Sequence, residues 1–349
     1  MKVLVYGEYS GYGKSLAKGF NELGYHAEVL SFGGDGFKKI KGDISFHDEN
    51  KFIKLFKFIA LIPRILSFDN IIVLNPSFFG LKYLGPIVIL LAKIKGIRIN
   101  LLACGDDVEF IKQGKLGNLG SWPYIDTQFP DVKYYTRLTE LFVHKIVANV
   151  SYRVIPVMYD YQKAWSLSKY KNKVVSTIPL ACDGMLINLK TKVFGEKIRI
   201  MHGINREDFK GTRKIILALN KIKSEYINDV EVFLPEKLPF EEYMKLLESV
   251  DISIDQTKGN SYGMNAIYGL LSGHVVLAPA NDFFKKDLCI SNCPIIPIIN
   301  DENDIYVKLK SLIENREKLD EIKRHGQEYA LMMHAPKIVA EKMSKYLLK

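Results

Sequence analysis

Short apolar runs alternate with segments of helical spacing along the whole chain. Residues 2–6, Lys-Val-Leu-Val-Tyr, predict a strand buried on both faces. A turn carrying Gly7, Gly11 and Gly13 follows, and helical spacing begins at Lys14. Apolar runs at 27–31, 70–74 and 98–103 repeat the strand signal, with helical segments between them. This rhythm predicts a parallel sheet covered by helices on both faces. Runs at 145–150, 154–156, 173–177 and 178–180 read as the closing strands of a first domain, and 183–196 as a linker. A second alternation then begins. Strands are expected at 198–201, 229–234, 251–254 and 274–277, and helices at 212–226, 240–250 and 261–271. The chain ends in helical segments at 305–314, 316–332 and 336–348. The pattern predicts an α/β protein of two Rossmann-like, doubly wound domains, 1–182 and 183–332. The terminal helix, 333–349, packs back on the first domain. Two such domains in tandem predict a cleft between them, and ligands of open parallel sheets bind beyond the carboxyl ends of the strands.

Length and composition fit this picture. The chain has 349 residues, enough for two domains of ordinary size, and is 48% hydrophobic and 25% charged. Its 49 basic and 39 acidic residues give a net charge of +10, which suits an anionic partner or simply reflects a lysine-rich surface. Cys104, Cys182, Cys289 and Cys293 offer no second close pair to complete a zinc site, and read as thiols in a reducing compartment. The N-terminus reads as a first strand rather than a signal peptide. The apolar stretch 84–92 is too short to cross a bilayer. The expected location is cytoplasmic, with membrane contact confined to the surface.

The stretch His202-Gly203-Ile204-Asn205-Arg206-Glu207-Asp208-Phe209-Lys210-Gly211-Thr212 runs from a strand end into a helix. Glycines beside a helix N-terminus expose backbone N–H groups that favour an anion, and Arg206 and Lys210 add side-chain cations for a diphosphate. The alternative is a turn with solvated charges. A lone histidine such as His202 is either a structural group or a donor contact; His274 reads as structural. About fifty residues on, Asp251 to Met264 is a strand followed by a polar loop with Asn260, Ser261, Tyr262 and Gly263, leading into a helix that stops at Gly273. Gly263 allows close approach of a ligand to the backbone.

These pieces, in this order, resemble the nucleotide-sugar domain of the GT-B glycosyltransferases, in particular the retaining enzymes that build bacterial envelope glycans. That family has a basic R…KG turn, a strand ending in Asp, an E-x7-E block containing a Phe/Tyr-Gly pair, and a Gly before the next strand. Lys210-Gly211-Thr212, Asp255-Gln256 and Tyr262-Gly263 stand at the corresponding places, and the likeness is strongest over 197–280. One departure is plain: Asn260 and Tyr268 occupy the two glutamate positions. The resemblance implies a donor site of His202, Arg206, Lys210, Gly211, Asn260, Ser261, Tyr262, Gly263, Met264 and Tyr268. Missing both carboxylates, the chain is also compatible with a non-catalytic GT-B protein that binds a glycan or steadies a partner. A nucleotide-sugar epimerase of the same fold ordinarily keeps the glutamates absent here.

In the first domain, Gly7-Glu8-Tyr9-Ser10-Gly11-Tyr12-Gly13-Lys14-Ser15 is not a Walker A loop, because Glu8 stands where that motif needs glycine. Under the resemblance, Gly11, Gly13 and Lys14 face acceptor or donor phosphate; the bland alternative is a tight strand–helix turn. Cys104-Gly105-Asp106-Asp107 resembles the family's Gly-x-Asp turn, with Asp107, and Asp106 behind it, as the catalytic carboxylates; the competing reading is an Asp-capped helix start. In 51–66, Phe52, Leu55, Phe56, Ile59, Ile62 and Leu66 share a helical face with Lys51, Lys54 and Lys57 off it, preceded by Lys38, Lys39 and Lys41. Such a segment lies on an anionic membrane or packs on the sheet with its lysines in water. The resemblance thus implies a cytoplasmic, peripheral transferase that uses a nucleotide sugar and a saccharide or lipid-linked acceptor, needs no metal or other cofactor, and does not bind nucleic acid.

Overall fold

The computed structural model describes all residues except 33–39, 46–49, 76–83, 127–135, 185, 187–195, 237 and 348–349. Most of the expected linker at 183–196, and Lys38 and Lys39, therefore lie outside the described residues. The chain divides into two compact units: residues 1–119, 129–183 and 335–349 form the first, and residues 120–128 and 184–334 the second.

The first unit is built on six parallel strands: β1 (Lys2–Tyr6), β2 (His26–Ser31), β3 (Ile44–Ser45), β4 (Asn70–Val73), β5 (Arg98–Ala103) and β6 (Arg153–Pro156). Their order is β3-β2-β1-β4-β5-β6, with every pairing parallel. This is the doubly wound order whose direction of winding reverses between β1 and β4. The crossover helices are α1 (Tyr12–Glu22), α2 (Lys51–Ile65), α3 (Leu84–Ile94), α4 (Val108–Lys115) and α5 (Leu138–Val150), and α6 (Tyr159–Ser166) follows β6. The last helix of the chain, α14 (Pro336–Ser344), lies against α1. A Cβ on Gly19 would sit 2.1 Å from the Pro336 carbonyl oxygen, so the two helices approach at backbone distance.

The second unit carries β7 (Ile198–His202), β8 (Val230–Phe233), β9 (Ile252–Ile254), β10 (Val275–Ala278) and β11 (Ile296–Pro297). Between and after them come α7 (Glu207–Lys210), α8 (Thr212–Glu225), α9 (Phe240–Leu247), α10 (Met264–Leu271), α11 (Asp282–Asp287), α12 (Glu302–Glu314) and α13 (Leu319–His334). The sheet order is β11-β10-β9-β7-β8, again wholly parallel. Here the winding reverses between β7 and β9. The strands are apolar on both faces, and Ile198, Ile200, Ile252, Val275 and Leu277 form the core with α8, whose Ile215, Ala218, Leu219 and Ile222 recur at helical spacing.

Several sequence expectations need correction. The runs at 173–177 and 178–180 are not strands: Lys171–Lys173 is a 3-10 turn, and only Val174 forms an isolated bridge, to Val154. The run at 145–150 is not a strand but the last part of α5, where buried His144, Val147 and Ala148 fall at helical spacing. A short apolar run cannot separate the two periods by itself. The helix expected from 261 begins at Met264, because 261–263 run through an extended loop that ends at Gly263 with φ −112°. On α2 the fully buried residues are Phe58 and Ile65, whereas Phe52, Phe56 and Ile59 of the expected apolar face are exposed.

Candidate functional site

The turns after β7 and β9 lie side by side at the carboxyl ends of adjacent strands, at the reversal point of the second sheet. A buried ion pair binds them: Lys210 Nζ lies 3.0 Å from Asp255 Oδ1, with both side chains nearly inaccessible. The Lys210 carbonyl accepts from the Thr257 amide at 2.9 Å. Thr257 also donates its hydroxyl to Asn300 Oδ1 at 2.8 Å, which reaches in from beyond β11. Gly211 closes the corner in the left-handed conformation (φ +72°). A Cβ there would fall 2.1 Å from Thr257 Oγ1, so the R…KG turn and the loop after β9 touch with no room for a side chain.

His202, at the end of β7, is fully buried. Nδ1 is 2.9 Å from the Ile254 carbonyl and Nε2 is 2.9 Å from Thr212 Oγ1. A carbonyl only accepts, so Nδ1 carries the proton and Nε2 accepts from the threonine hydroxyl. Burial, reinforced by the Lys210 ammonium, lowers its pKa to about 4, so the ring is neutral. His202 therefore ties the end of β7 to the end of β9 and to the start of α8. His274 is likewise buried, donates through Nε2 to the Leu247 carbonyl at 2.7 Å, and is held at about 4 by burial.

Around this braced corner two helices begin. Neither α8, preceded by Gly211, nor α10, preceded by Gly263, has an N-cap side chain that accepts from its first-turn amides, and neither has an acidic residue there. The leading N–H groups of a helix have no partner within it, and the helix dipole adds positive potential at that end. Gly263, Met264 and Asn265 are partly exposed. Beside them lies exposed Arg206, whose guanidinium stacks 3.9 Å from the Phe209 ring and donates to the Tyr124 hydroxyl. A second cation, Lys258, lies on the loop after β9. The corner thus combines two uncapped helix starts with two cationic side chains, a set suited to a diphosphate.

The remaining candidates on the loop are mostly tied into the structure. Asn260 accepts through Oδ1 from Asn281 Nδ2 at 2.8 Å and donates to the Ser121 carbonyl at 3.1 Å. The Tyr262 hydroxyl is buried against Tyr329 Oη at 2.8 Å and His334 Nε2 at 2.9 Å, which anchors the loop to α13. Tyr268 is 4% exposed, within α10. Ser261 is also buried, and its hydroxyl has no hydrogen-bond partner among the described residues.

In the first unit, the turn after β1 is bonded to itself. Glu8, 1% exposed, accepts from the Gly11 amide at 2.7 Å through Oε1 and from the Lys14 amide at 2.8 Å through Oε2. Its carboxylate takes donors that a phosphate would use, and a Cβ on Gly13 would meet Glu8 Oε2 at 2.9 Å. The Lys14 residue is exposed. After β5, Asp107 is fully buried: Oδ1 accepts from the Phe110 amide at 2.8 Å, capping α4, and Oδ2 accepts from Trp165 Nε1 at 2.8 Å. Burial raises its carboxyl to about 6, partly offset by His144. Asp106 is the more accessible of the two carboxylates.

Sequence reasoning missed Lys258, Asn281 and Asn300, together with Ser121, Tyr124 and Asp126 from a distant stretch. They are brought together only by the fold, and no spacing marks them. Among the described residues no group of three or more His, Cys, Asp or Glu is placed to hold a metal ion.

No family model matches the sequence, and no curated protein is similar to it at sequence level. Solved structures are similar over nearly the whole chain. HepE from Anabaena, in complex with UDP and glucose, matches at 14% identity with a TM-score of 0.61, covering 99% of both chains. Sucrose-phosphate synthase from Thermosynechococcus elongatus matches at 12% identity and a TM-score of 0.62, covering 99% of this chain and 98% of that one. UDP-GlcNAc 2-epimerase from Neisseria meningitidis, bound to UDP-GlcNAc, matches at 12% identity and a TM-score of 0.53, covering 99% of both chains. At these identities the likeness is one of fold: two parallel-sheet α/β domains in tandem, the Rossmann-like GT-B architecture expected from the sequence.

Two outcomes follow from this corner. Lys210→Met strands the Asp255 carboxylate in the interior and destabilises the second unit by about 3–5 kcal/mol, whereas the double change Lys210→Met/Asp255→Leu recovers most of that loss; chemical denaturation of the three variants measures it, and equal stability of the single and double variants contradicts the pairing. For His202 and His274, the folded pKa of about 4 lies below the ordinary 6.5, so the unfolded chain binds more protons between those values. The second unit therefore holds its full histidine contribution above pH 6.5 and loses it as pH falls toward 4. Unfolding of a Trp165→Phe variant, followed by the fluorescence of Trp122, reads this; a midpoint constant from pH 7 to 4.5 contradicts it.

Proposed function

We propose that this protein is a glycosyltransferase that holds the diphosphate of a nucleotide sugar at the corner between β7 and β9. The observation that carries the reading is the pair of uncapped, acid-free helix starts at the reversal point of the second sheet, with Arg206 and Lys258 alongside. That HepE from Anabaena is solved with UDP and glucose on the same fold supports a uridine nucleotide as the first donor to test. As the bond from the sugar to the diphosphate breaks, negative charge grows on the leaving group. Fixed N–H groups and a guanidinium stabilise that charge without reorganising. Lys210 does this indirectly: paired with Asp255, it fixes the backbone from which Gly211 and α8 start. The proposal assigns the leaving-group charge to these groups and requires no metal.

A second reading is a non-catalytic protein of the same fold that binds a glycan or nucleotide sugar. It is favoured by Asn260 and Tyr268 at the two glutamate positions and by their engagement: Asn260 is bonded to Asn281, and Tyr268 is buried. Turnover of any nucleotide sugar separates the readings. Under the first, Arg206→Ala lowers kcat/KM by about 10²-fold, and EDTA leaves the rate unchanged. Turnover in Arg206→Ala equal to the parent protein refutes the leaving-group role.

The proposed acceptor is a saccharide or lipid-linked glycan of cell-envelope synthesis, met at the inner membrane face. Support comes from the first unit. Phe52 and Phe56 on α2 are 73% and 70% exposed, and Ile94 on α3 is 82% exposed. Lys57 and Lys93 on the same helices are exposed cations. No described helix is long and apolar enough to cross a membrane, so contact is with the surface. Sedimentation with vesicles containing anionic lipid is expected to carry the protein down, and Phe52→Asp/Phe56→Asp to leave it in solution; equal sedimentation of both contradicts membrane docking through α2.

A further inference from the structure

Residues 121–126 belong to the second unit although the chain on either side of 120–128 belongs to the first. They lie on the groups assigned above to the diphosphate. The Tyr124 hydroxyl accepts from Arg206, and the Tyr124 ring meets the Phe209 ring edge-on at 5.3 Å, closing the aromatic pocket on which the guanidinium stacks. Asp126 Oδ2 lies 3.4 Å from Lys258 Nζ. The Ser121 hydroxyl accepts from the Gly259 amide at 3.1 Å, and its carbonyl accepts from Asn260 Nδ2 at 3.1 Å. Two hydroxyls, a carboxylate and a carbonyl thus meet two cations, a backbone N–H and a side-chain amide. These are acceptor atoms on donor groups, which is how a phosphate would bind.

The segment is buried at its middle and exposed at its ends. Trp122 and Tyr124 are each 5% exposed, whereas Ser121 and Asp126 are at the surface. It is entered through Gly117 and Gly120, with φ of +75° and +69°, and among the described residues no atom lies within 4 Å of where a Cβ would stand on either. These are left-handed positions, which glycine adopts without the strain a side chain would bring.

We propose that residues 121–126 form a strap that competes with the diphosphate for Arg206, Lys258 and the Gly259 amide and is displaced when a nucleoside diphosphate binds. The inference rests on the donor-site reading above. The Asp126 carboxylate and an incoming diphosphate carry like charge, so they repel each other when both approach Lys258. Ligand and strap therefore compete, and apparent donor affinity is set in part by how tightly the strap is held.

The test combines hydrogen exchange with affinity, using the full chain with UDP and with inorganic pyrophosphate as probes. Saturating UDP is expected to speed exchange of the amides of 121–126 while slowing those of 259–265. Asp126→Asn and Tyr124→Phe are each expected to tighten UDP binding by about two- to fivefold, the range that loss of one exposed polar contact allows. Binding by the parent protein with slower exchange at 121–126, or with weaker or unchanged affinity in both variants, overturns the strap while leaving the donor site standing. Failure of UDP and pyrophosphate to bind the parent protein and both variants removes the donor-site reading and the strap with it.

Discussion

The buried pairing of Lys210 with Asp255 is the constraint on which the second unit's site depends. Two charges removed from water are tolerated only when their geometry is good and their remaining bonds are met. Here the pair joins the turn after β7 to the turn after β9 across the one place in the sheet where neighbouring strands are wound in opposite directions. The Lys210 carbonyl takes the Thr257 amide, His202 bonds to both strand ends, and Gly211 fits between Thr257 and Asn300. With so many bonds spent on structure, what is left over is directional: the N–H groups that open α8 and α10, and the two cations beside them.

The first unit shows the opposite use of the same topology. Its sheet also reverses direction, between β1 and β4, and a glycine-rich turn again leads from strand to helix. There Glu8 folds back onto the Gly11 and Lys14 amides, so the turn is satisfied by its own carboxylate. Two loops that look equally suited to phosphate in composition differ because the Glu8 carboxylate turns onto its own loop's amides, whereas Asp255 is taken up by Lys210. The charge of one residue, rather than the glycines, separates a self-capped turn from an open one.

The fold was largely legible in the sequence. Strands apolar on both faces alternate with helices, and glycines mark strand ends, so the two parallel sheets could be expected from 2–6, 98–103, 198–201 and 274–277. The error at 145–150 came from a run too short to distinguish the periods, settled only by the burial of His144, Val147 and Ala148 in α5. Residue types at the candidate site were legible too, but their roles were not. Lys210, expected to meet a ligand, is buried on Asp255. Asp107, expected to be catalytic, caps α4 and accepts from Trp165. A carboxylate or ammonium in a sequence does not say whether its partner will be a solute or another side chain tens of residues away. Nor could any spacing show that 121–126 would lie on Arg206 and Lys258, because that contact spans roughly eighty to more than one hundred and thirty residues of chain and exists only once the second sheet has formed.

The central claim is that the open helix starts at the β7–β9 reversal hold a diphosphate. A crystal structure of the protein with UDP tests it most directly. The account predicts phosphate oxygens within hydrogen-bonding distance of the amides that begin α8 or α10 and of the Arg206 guanidinium. Density for the nucleotide elsewhere in the molecule, with those amides facing solvent, would contradict it.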